Sequence, residues 1–237
     1  MKKFENDVDE FVELLANFDM KKAKLTNVFN PWRDYDRKFD IDKNSPIIRC
    51  NNLREYLISR KNAQYVLIAE APGYQGCHFS GIPMTSERLI KEKGSIYTLE
   101  KLAPRTSDKN NKKTPKTVQK DGFCEPTATV VWKQMVELMN ATDFVLWNTF
   151  PFHPYKNNNL LTNRTPRKKE IEETKYILNS FLALFPNNVT RIAVGQKAQQ
   201  ALGEQYFNDN SFIQVRHPAN GGANEFREGI RHVLITN

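Results

Sequence analysis

The chain has 237 residues, of which 39% are apolar and 26% are charged, a composition typical of a globular protein long enough to bury a full core. No stretch approaches the length of a membrane-spanning helix, and the first ten residues lack the apolar segment of a secretory signal. The formal net charge of +8 favours a polyanionic partner. We therefore expect a cytoplasmic protein that does not act at a membrane.

The cysteines predict no metal site and no disulfide framework. Cys50, Cys77 and Cys124 are widely spaced, contain no CxxC pair and are odd in number. We interpret them as reduced, structural thiols, and we expect no cofactor.

The first 60 residues predict a helical N-terminal extension packed on the rest of the chain. Apolar residues recur at helical spacing from about Asp7 to Asn17, and a second short helix fits Asn52 to Arg60. A further helix is expected from Ser86 to about Glu92. Residues 101–122 are polar and predict a mobile basic loop, which carries Lys109, Lys112, Lys113, Lys116 and Lys120.

Four short apolar runs predict buried strands. They are Tyr65–Ala69, Asp143–Asn148, Arg191–Gly195 and Phe212–Val215. Helical patterns lie between and after them, at Thr129–Met139, from a Thr165 cap and Pro166 onward, at Gln196–Leu202 and at about Asn224–Leu234. Strands that alternate with helices form parallel sheets covered on both faces. The sequence therefore predicts a single α/β domain over residues 1–237, with three α/β/α layers and a central, mostly parallel four-stranded sheet.

Three of these strands end at a polar residue followed by a proline-containing loop. In a parallel sheet the strand ends lie along one edge, so Glu70, Asn148 and His217 could share a pocket. Glu70 could orient or deprotonate a water, Asn148 suits the edge of a base, and His217 could donate to a developing anion. Phe79 or Tyr74 could stack on a planar ring. Hydrolysis of a nucleoside N-glycosidic bond needs this set, without a metal.

Four motifs at predicted strand and helix boundaries carry a family resemblance. They are AEAPGYQG at 69–76, LWNTFPFHP around Asn148, NRTP at 163–166 and HPAN at 217–220. In this order they resemble the motifs of the uracil-DNA glycosylase superfamily, and most closely those of the branch with a GEAPG first motif. The resemblance covers roughly Tyr65 to the C-terminus.

The resemblance implies a role for each matched position. Glu70 would position the attacking water, Asn148 would read the uracil edge, and His217 would stabilise the uracil anion at O2. The turn Ala71-Pro72-Gly73-Tyr74 would form the pocket floor. The predicted contacts with DNA are Arg164, Arg216, Asn220 and Gly221. The implied protein is a monomeric, monofunctional hydrolase of base-excision repair that binds DNA and flips the damaged nucleotide out of the helix.

The sequence also departs from the family pattern. Ala69 replaces the first glycine, and Met84 stands where relatives often carry phenylalanine, so Phe79 is the substitute stacking residue. The branch commonly ligates an iron–sulfur cluster through four cysteines, which this chain lacks. The loop after His217 has no bulky wedge, which predicts weak activity on duplexes or a preference for single strands. A basic insertion that would allow covalent capture is absent.

Three alternatives remain open at this point. The substrate could be another damaged or mismatched base, such as hypoxanthine, xanthine or mismatched thymine. The chain could be a non-catalytic DNA- or base-binding member of the same fold, with Glu70 as a purely structural strand end. An unrelated nucleotide-binding α/β protein is the third reading, and the lack of glycine-rich phosphate loops weakens it.

Overall fold

A computed structural model describes residues 2–93, 99, 101–103, 105–203 and 212–236. Its helices in this part of the chain are α1 Lys2–Asn17, α2 Ser45–Ile58, α3 Cys77–Ser80, α4 Glu87–Lys93, α5 Lys116–Asp121, α6 Pro126–Leu138, α7 Lys168–Leu182, α8 Gln196–Leu202 and α9 Ala223–Thr236. Its strands are β1 Val28–Phe29, β2 Tyr65–Ala69, β3 Phe144–Asn148, β4 His153–Pro154, β5 Thr190–Val194 and β6 Ile213–Val215. No helix among the described residues is both long and apolar enough to cross a membrane.

The core of the fold is a four-stranded parallel sheet in the order β3-β2-β5-β6, with helices on both sides. In the register of the central strand β2, Ala69 pairs with Asn148 and Ile68 pairs with Ala193. The predicted α/β fold with three layers is therefore confirmed. A second, two-stranded sheet joins β1 to β4 in antiparallel orientation, outside the central layer.

Aromatic packing joins the N-terminal helices to the sheet. Trp147 of β3 stacks on Phe181 of α7 with ring centroids 4.6 Å apart, and on Trp32 at 5.9 Å. Phe11 of α1 meets the edge of the same Trp147 ring at 5.2 Å. Each such ring pair adds about 0.5–1.5 kcal/mol beyond the burial of its area. The first 60 residues thus pack, together with α7, against Trp147 of the edge strand β3.

Two helices begin at residues other than those expected. α2 starts at Ser45, with Pro46 in its first turn, seven positions before the expected start at Asn52. α7 starts at Lys168, so the prediction of a Thr165 cap with Pro166 at the first helical position is wrong. The Thr165 hydroxyl accepts a hydrogen bond from Lys197 Nζ, and the helix begins after Arg167, whose N–H donates to the Glu170 carboxylate at 2.7 Å.

The basic segment also differs from its prediction. A loop was expected throughout residues 101–122, but Lys116–Asp121 form α5. Arg105 donates to the carbonyl oxygens of Val118 and Gln119, both at 2.8 Å. It thereby satisfies the Gln119 acceptor near the end of the helix, and it shares the Val118 acceptor with the Gly122 N–H. A tertiary contact from a distant arginine therefore supports a helix that the polar sequence alone does not indicate.

Candidate active site

A cleft of about 430 Å³ lies at the carboxyl end of β2. The predicted site residues that line it are Glu70, Ala71, Pro72, Gly73, Arg164 and His217. Because β2, β5 and β6 run parallel, the segments that follow β2 and β6 emerge at the same edge of the sheet. The structure thus brings Glu70 and His217, 147 positions apart in the sequence, into one cleft.

Glu70 is held in place by its backbone and is only partly solvated. Its carbonyl oxygen accepts hydrogen bonds from Phe150 N, at 3.0 Å, and from the Thr149 hydroxyl, at 2.8 Å. Its carboxylate oxygen Oε1 lies 3.8 Å from Lys197 Nζ. Burial raises the pKa of Glu70, while Lys197 and the Thr165 hydroxyl oppose the rise. These two partners favour the ionised carboxylate that activation of a water requires.

Asn148 is buried without hydrogen-bond partners for its side chain. The residue is 1% exposed, and neither Oδ1 nor Nδ2 has a partner among the described residues. It ends β3 beside Ala69, so it lies one register position from Glu70. A buried amide left unsatisfied costs roughly 1–3 kcal/mol, so such a group calls for an explanation, such as a functional role or a bound water. Asn148 is not among the residues that line the cleft, so a base would have to reach beyond the cleft wall to use its one acceptor and two donors.

His217 reaches the cleft because Gly195 has no side chain. Gly195 follows β5 with φ of +88°, and a Cβ placed there would lie 2.7 Å from His217 Cβ. The Ala219 N–H donates to His217 Nδ1 at 3.1 Å, so the neutral ring carries its proton on Nε2. Burial, together with the positive charge of Arg216, lowers the pKa of His217. The ring is therefore a neutral donor near pH 7.

The turn after Glu70 is fixed by Asn163, a residue of the NRTP motif. Asn163 Oδ1 accepts from the Tyr74 backbone N–H at 3.0 Å, and a Cβ on Gly73 would lie 3.3 Å from Asn163 Nδ2. Asn163 also hydrogen-bonds with His153, a fully buried ring whose pKa is lowered by burial to about 3. Nδ1 of His153 lies 2.9 Å from Nδ1 of His78. The buried pair of His78 and His153 therefore contacts Asn163, the residue that holds the turn after Glu70.

The candidates for stacking on a base differ in position. Phe79 is fully buried and is not among the residues that line the cleft. Its ring stacks on that of Phe123, with ring centroids 4.4 Å apart and ring planes within 4°. Tyr74 is half-buried and meets Phe123 edge-on at 6.1 Å. Met84 lines the cleft with a positive φ of 47°. Stacking by Phe79 stays a prediction, and in this geometry it would require the Phe123 pair to open.

The predicted DNA contacts fall into two groups. Arg164 binds both carboxylate oxygens of Glu170 at 2.7 Å and donates to backbone carbonyls, so much of its guanidinium is already used. Arg216, Asn220 and Gly221 are exposed on the loop and turn that follow β6. Their contact with DNA stays a prediction.

Sequence reasoning missed Glu125, Asn163 and Lys197 as residues of the site. Asn163 lies inside the NRTP motif, which was a signal for its role. Lys197 follows Gly195 at the start of α8, a position at the functional edge of a parallel sheet. Glu125 precedes Pro126 at the start of α6, and nothing in the local sequence connects it with the first motif.

The cysteines do not fit the iron–sulfur cluster of the resembling branch. Cys50 lies in α2, Cys77 begins α3 and Cys124 precedes α6, and all three are free thiols. In the part of the chain that the structure describes, no group of three His, Cys, Asp or Glu side chains could hold a metal ion.

Comparison with known proteins identifies the fold. No family model and no curated protein matches the sequence. Among solved structures, the crystal structure of wild-type SMUG2 from Pedobacter heparinus is similar, with a TM-score of 0.60 and 14% sequence identity. The match covers 97% of this chain and 96% of that chain. At this identity the likeness shows a shared fold over nearly the whole length of both chains.

Proposed function

We propose that this chain is a monofunctional DNA glycosylase that hydrolyses the N-glycosidic bond of uracil in DNA, as the first step of base-excision repair. The observation that carries the proposal is the buried, unpartnered carboxamide of Asn148 beside the Glu70 strand end. The fold shared with SMUG2 of Pedobacter heparinus supports it. The proposal includes a cytoplasmic monomer in which residues 1–237 act as one domain.

The reaction proceeds by loss of the base and attack of a water. The bond between C1′ and the base nitrogen breaks, its electron pair moves to the base, and the sugar becomes oxocarbenium-like. The Glu70 carboxylate orients a water, whose oxygen bonds to C1′ while its proton passes to Glu70. The products are an abasic site and the free base, which takes up a proton from solvent.

His217 and Asn148 act on the departing base. Nε2–H of the neutral His217 donates to the O2 oxygen on which negative charge develops. The carboxamide of Asn148 pairs with the donor and acceptor atoms on the edge of the uracil ring. A donor fixed in place before the reaction strengthens its hydrogen bond as the charge grows, so it stabilises the transition state more than the bound substrate.

The test is excision from a fluorescent oligonucleotide that carries one uracil, followed by alkaline cleavage, with EDTA present and no added metal. We expect Glu70→Gln to lose at least 100-fold in single-turnover rate with DNA binding retained, because the variant cannot accept the proton. His217→Ala should lose a similar factor. The matched control is Glu173→Gln, an exposed carboxylate on α7, which should keep the wild-type rate. Full activity in Glu70→Gln would refute the role of that carboxylate.

A panel of bases on single and double strands tests the substrate. Oligonucleotides with hypoxanthine, xanthine or mismatched thymine replace the uracil substrate under the same conditions. Activity on one of these and none on uracil would keep the glycosylase and refute the choice of base. Binding without cleavage of any member would favour the non-catalytic reading.

A further inference from the structure

Glu125 occupies the N-cap position of α6 without capping the helix. Its backbone is extended, with φ of −99° and ψ of 112°, and its side chain makes no capping hydrogen bond. The carboxyl group instead lies on the turn that follows Glu70. A Cβ on Gly76 would fall 2.0 Å from Glu125 Oε2, and one on Gly73 would fall 3.5 Å from Oε1. Only a turn without a side chain at position 76 leaves room for this carboxyl.

One oxygen of the Glu125 carboxyl is buried and lacks a partner. Oε2 is inaccessible to solvent and has no hydrogen-bond partner among the described residues, while the residue as a whole is half-buried and lines the cleft. Burial raises the pKa of Glu125 to about 7. An ionised carboxylate without a partner is costly to bury, so such a group takes up a proton instead.

The charged groups around Glu125 belong to several elements. Glu70 after β2, His217 after β6, and Lys156 and Arg164 between β4 and α7 line the same cleft. Cys77 of α3 is close enough for the charge of Glu125 to raise its thiol pKa, which burial already raises more strongly. Of the two cations, Arg164 is committed to Glu170. Burial is the cause of the raised pKa of Glu125.

We propose that protonated Glu125 donates a hydrogen bond from Oε1, the oxygen beside Gly73 rather than Gly76, to an acceptor atom of the base held in this cleft, and so helps to determine specificity. The inference rests on the proposed function and adds a residue to it. Deamination replaces an amino group, which donates, with a carbonyl oxygen, which accepts. A carboxyl O–H offered to that oxygen favours the deaminated base over its parent. When ionised, the same group repels the charge that the departing base acquires.

The pH dependence of excision distinguishes this role from a structural one. Glu125 acts as a neutral acid, so kcat/KM should fall above about pH 7 by roughly tenfold for each pH unit. The other titratable groups of the cleft predict a fall in kcat/KM on the acid side of the pH profile only, because Glu70 and His217 act in their deprotonated forms. Cys77 has its pKa well above 9 and adds no transition near pH 7.

The experiment is a pH profile from 5.5 to 9 for uracil excision by the wild type, Glu125→Gln and Glu125→Ala. Glutamine keeps a neutral donor of the same shape, so Glu125→Gln should lack the alkaline limb and at pH 9 should exceed the wild-type rate at least tenfold. Glu125→Ala should be slow at all pH values. Thermal melts verify that each variant folds.

Two outcomes separate the inference from the proposed function. In the first outcome, the wild type excises uracil, Glu70→Gln does not, and the pH profile of Glu125→Gln superposes on that of the wild type. This result overturns the role of Glu125 and leaves the proposed glycosylase activity in place. A wild-type pH profile that does not fall on the alkaline side also overturns the role of Glu125, and this result needs no variant. If no base is excised at any pH, the proposed function itself fails.

Discussion

Replacing Asn148 with leucine should stabilise the protein and abolish its activity. The carboxamide of Asn148 is 1% exposed, with neither polar atom partnered among the described residues. Leucine has a similar size and no polar atom, so the change removes a desolvation cost of roughly 1–3 kcal/mol. In a chain of this length each kcal/mol raises Tm by about 2–4 °C. Excision should fall at least 100-fold, because the base edge loses its hydrogen bonds.

The matched control is Asn52→Leu, at a position of equal burial with every polar atom satisfied. Asn52 is 2% exposed, donates to the carbonyls of Ser80 and Ala103, and accepts from the Ala103 N–H at 2.9 Å. Leucine there leaves three backbone groups without their partner and should lower stability by several kcal/mol, at about 1–3 kcal/mol for each. Differential scanning fluorimetry and urea titration measure both variants. The reasoning is refuted if the two substitutions change Tm in the same direction.

Two further changes test the contacts of the cleft. Gly76→Ala places a Cβ 2.0 Å from Oε2 of Glu125. It should cost about 1–3 kcal/mol through overpacking and reduce excision, as urea titration and single-turnover assays would measure. An unchanged midpoint would contradict that contact. Lys197→Met should raise the pKa of Glu70 and shift the acid limb of the pH–rate profile upward, since Lys197 favours the ionised carboxylate. The shift should be a fraction of a pH unit, because exposed ion pairs contribute about 0.2–1 kcal/mol, and Lys169→Met should leave the limb in place.

The sheet could be predicted from sequence because its strands β2 and β3 are buried on both faces. Each of the four strands is a short run, mostly apolar, that ends within three residues of a proline or glycine, and the β2 prediction, Tyr65–Ala69, matches the structure residue for residue. The other three strands agree to within one residue at each end. In a parallel sheet the carboxyl ends of all strands lie at the same edge. The sequence alone therefore predicts that Glu70 and His217 lie close together.

The remaining features depend on contacts between distant residues. The carboxyl of Glu125 reaches a turn about fifty positions earlier, and only the closeness of that turn to α6 makes it part of the cleft. Arg105 supports α5 through carbonyl groups thirteen and fourteen positions away. The Thr165 hydroxyl, which the sequence predicts as the cap of α7, instead contacts Lys197 of another helix. Local propensity contains no information about such partners.

The order of strands in the sheet has a consequence for synthesis of the chain on the ribosome. Ala69 of β2 pairs with Asn148, seventy-nine positions later, and Ile68 pairs with Ala193, later still. At roughly 5–20 residues per second, β2 leaves the ribosome roughly 4–16 s before its first partner is made. During that interval Val66, Leu67 and Ile68, which are wholly buried in the finished fold, have no strand to pair with. We expect nascent chains arrested before residue 144 to bind chaperones through this segment.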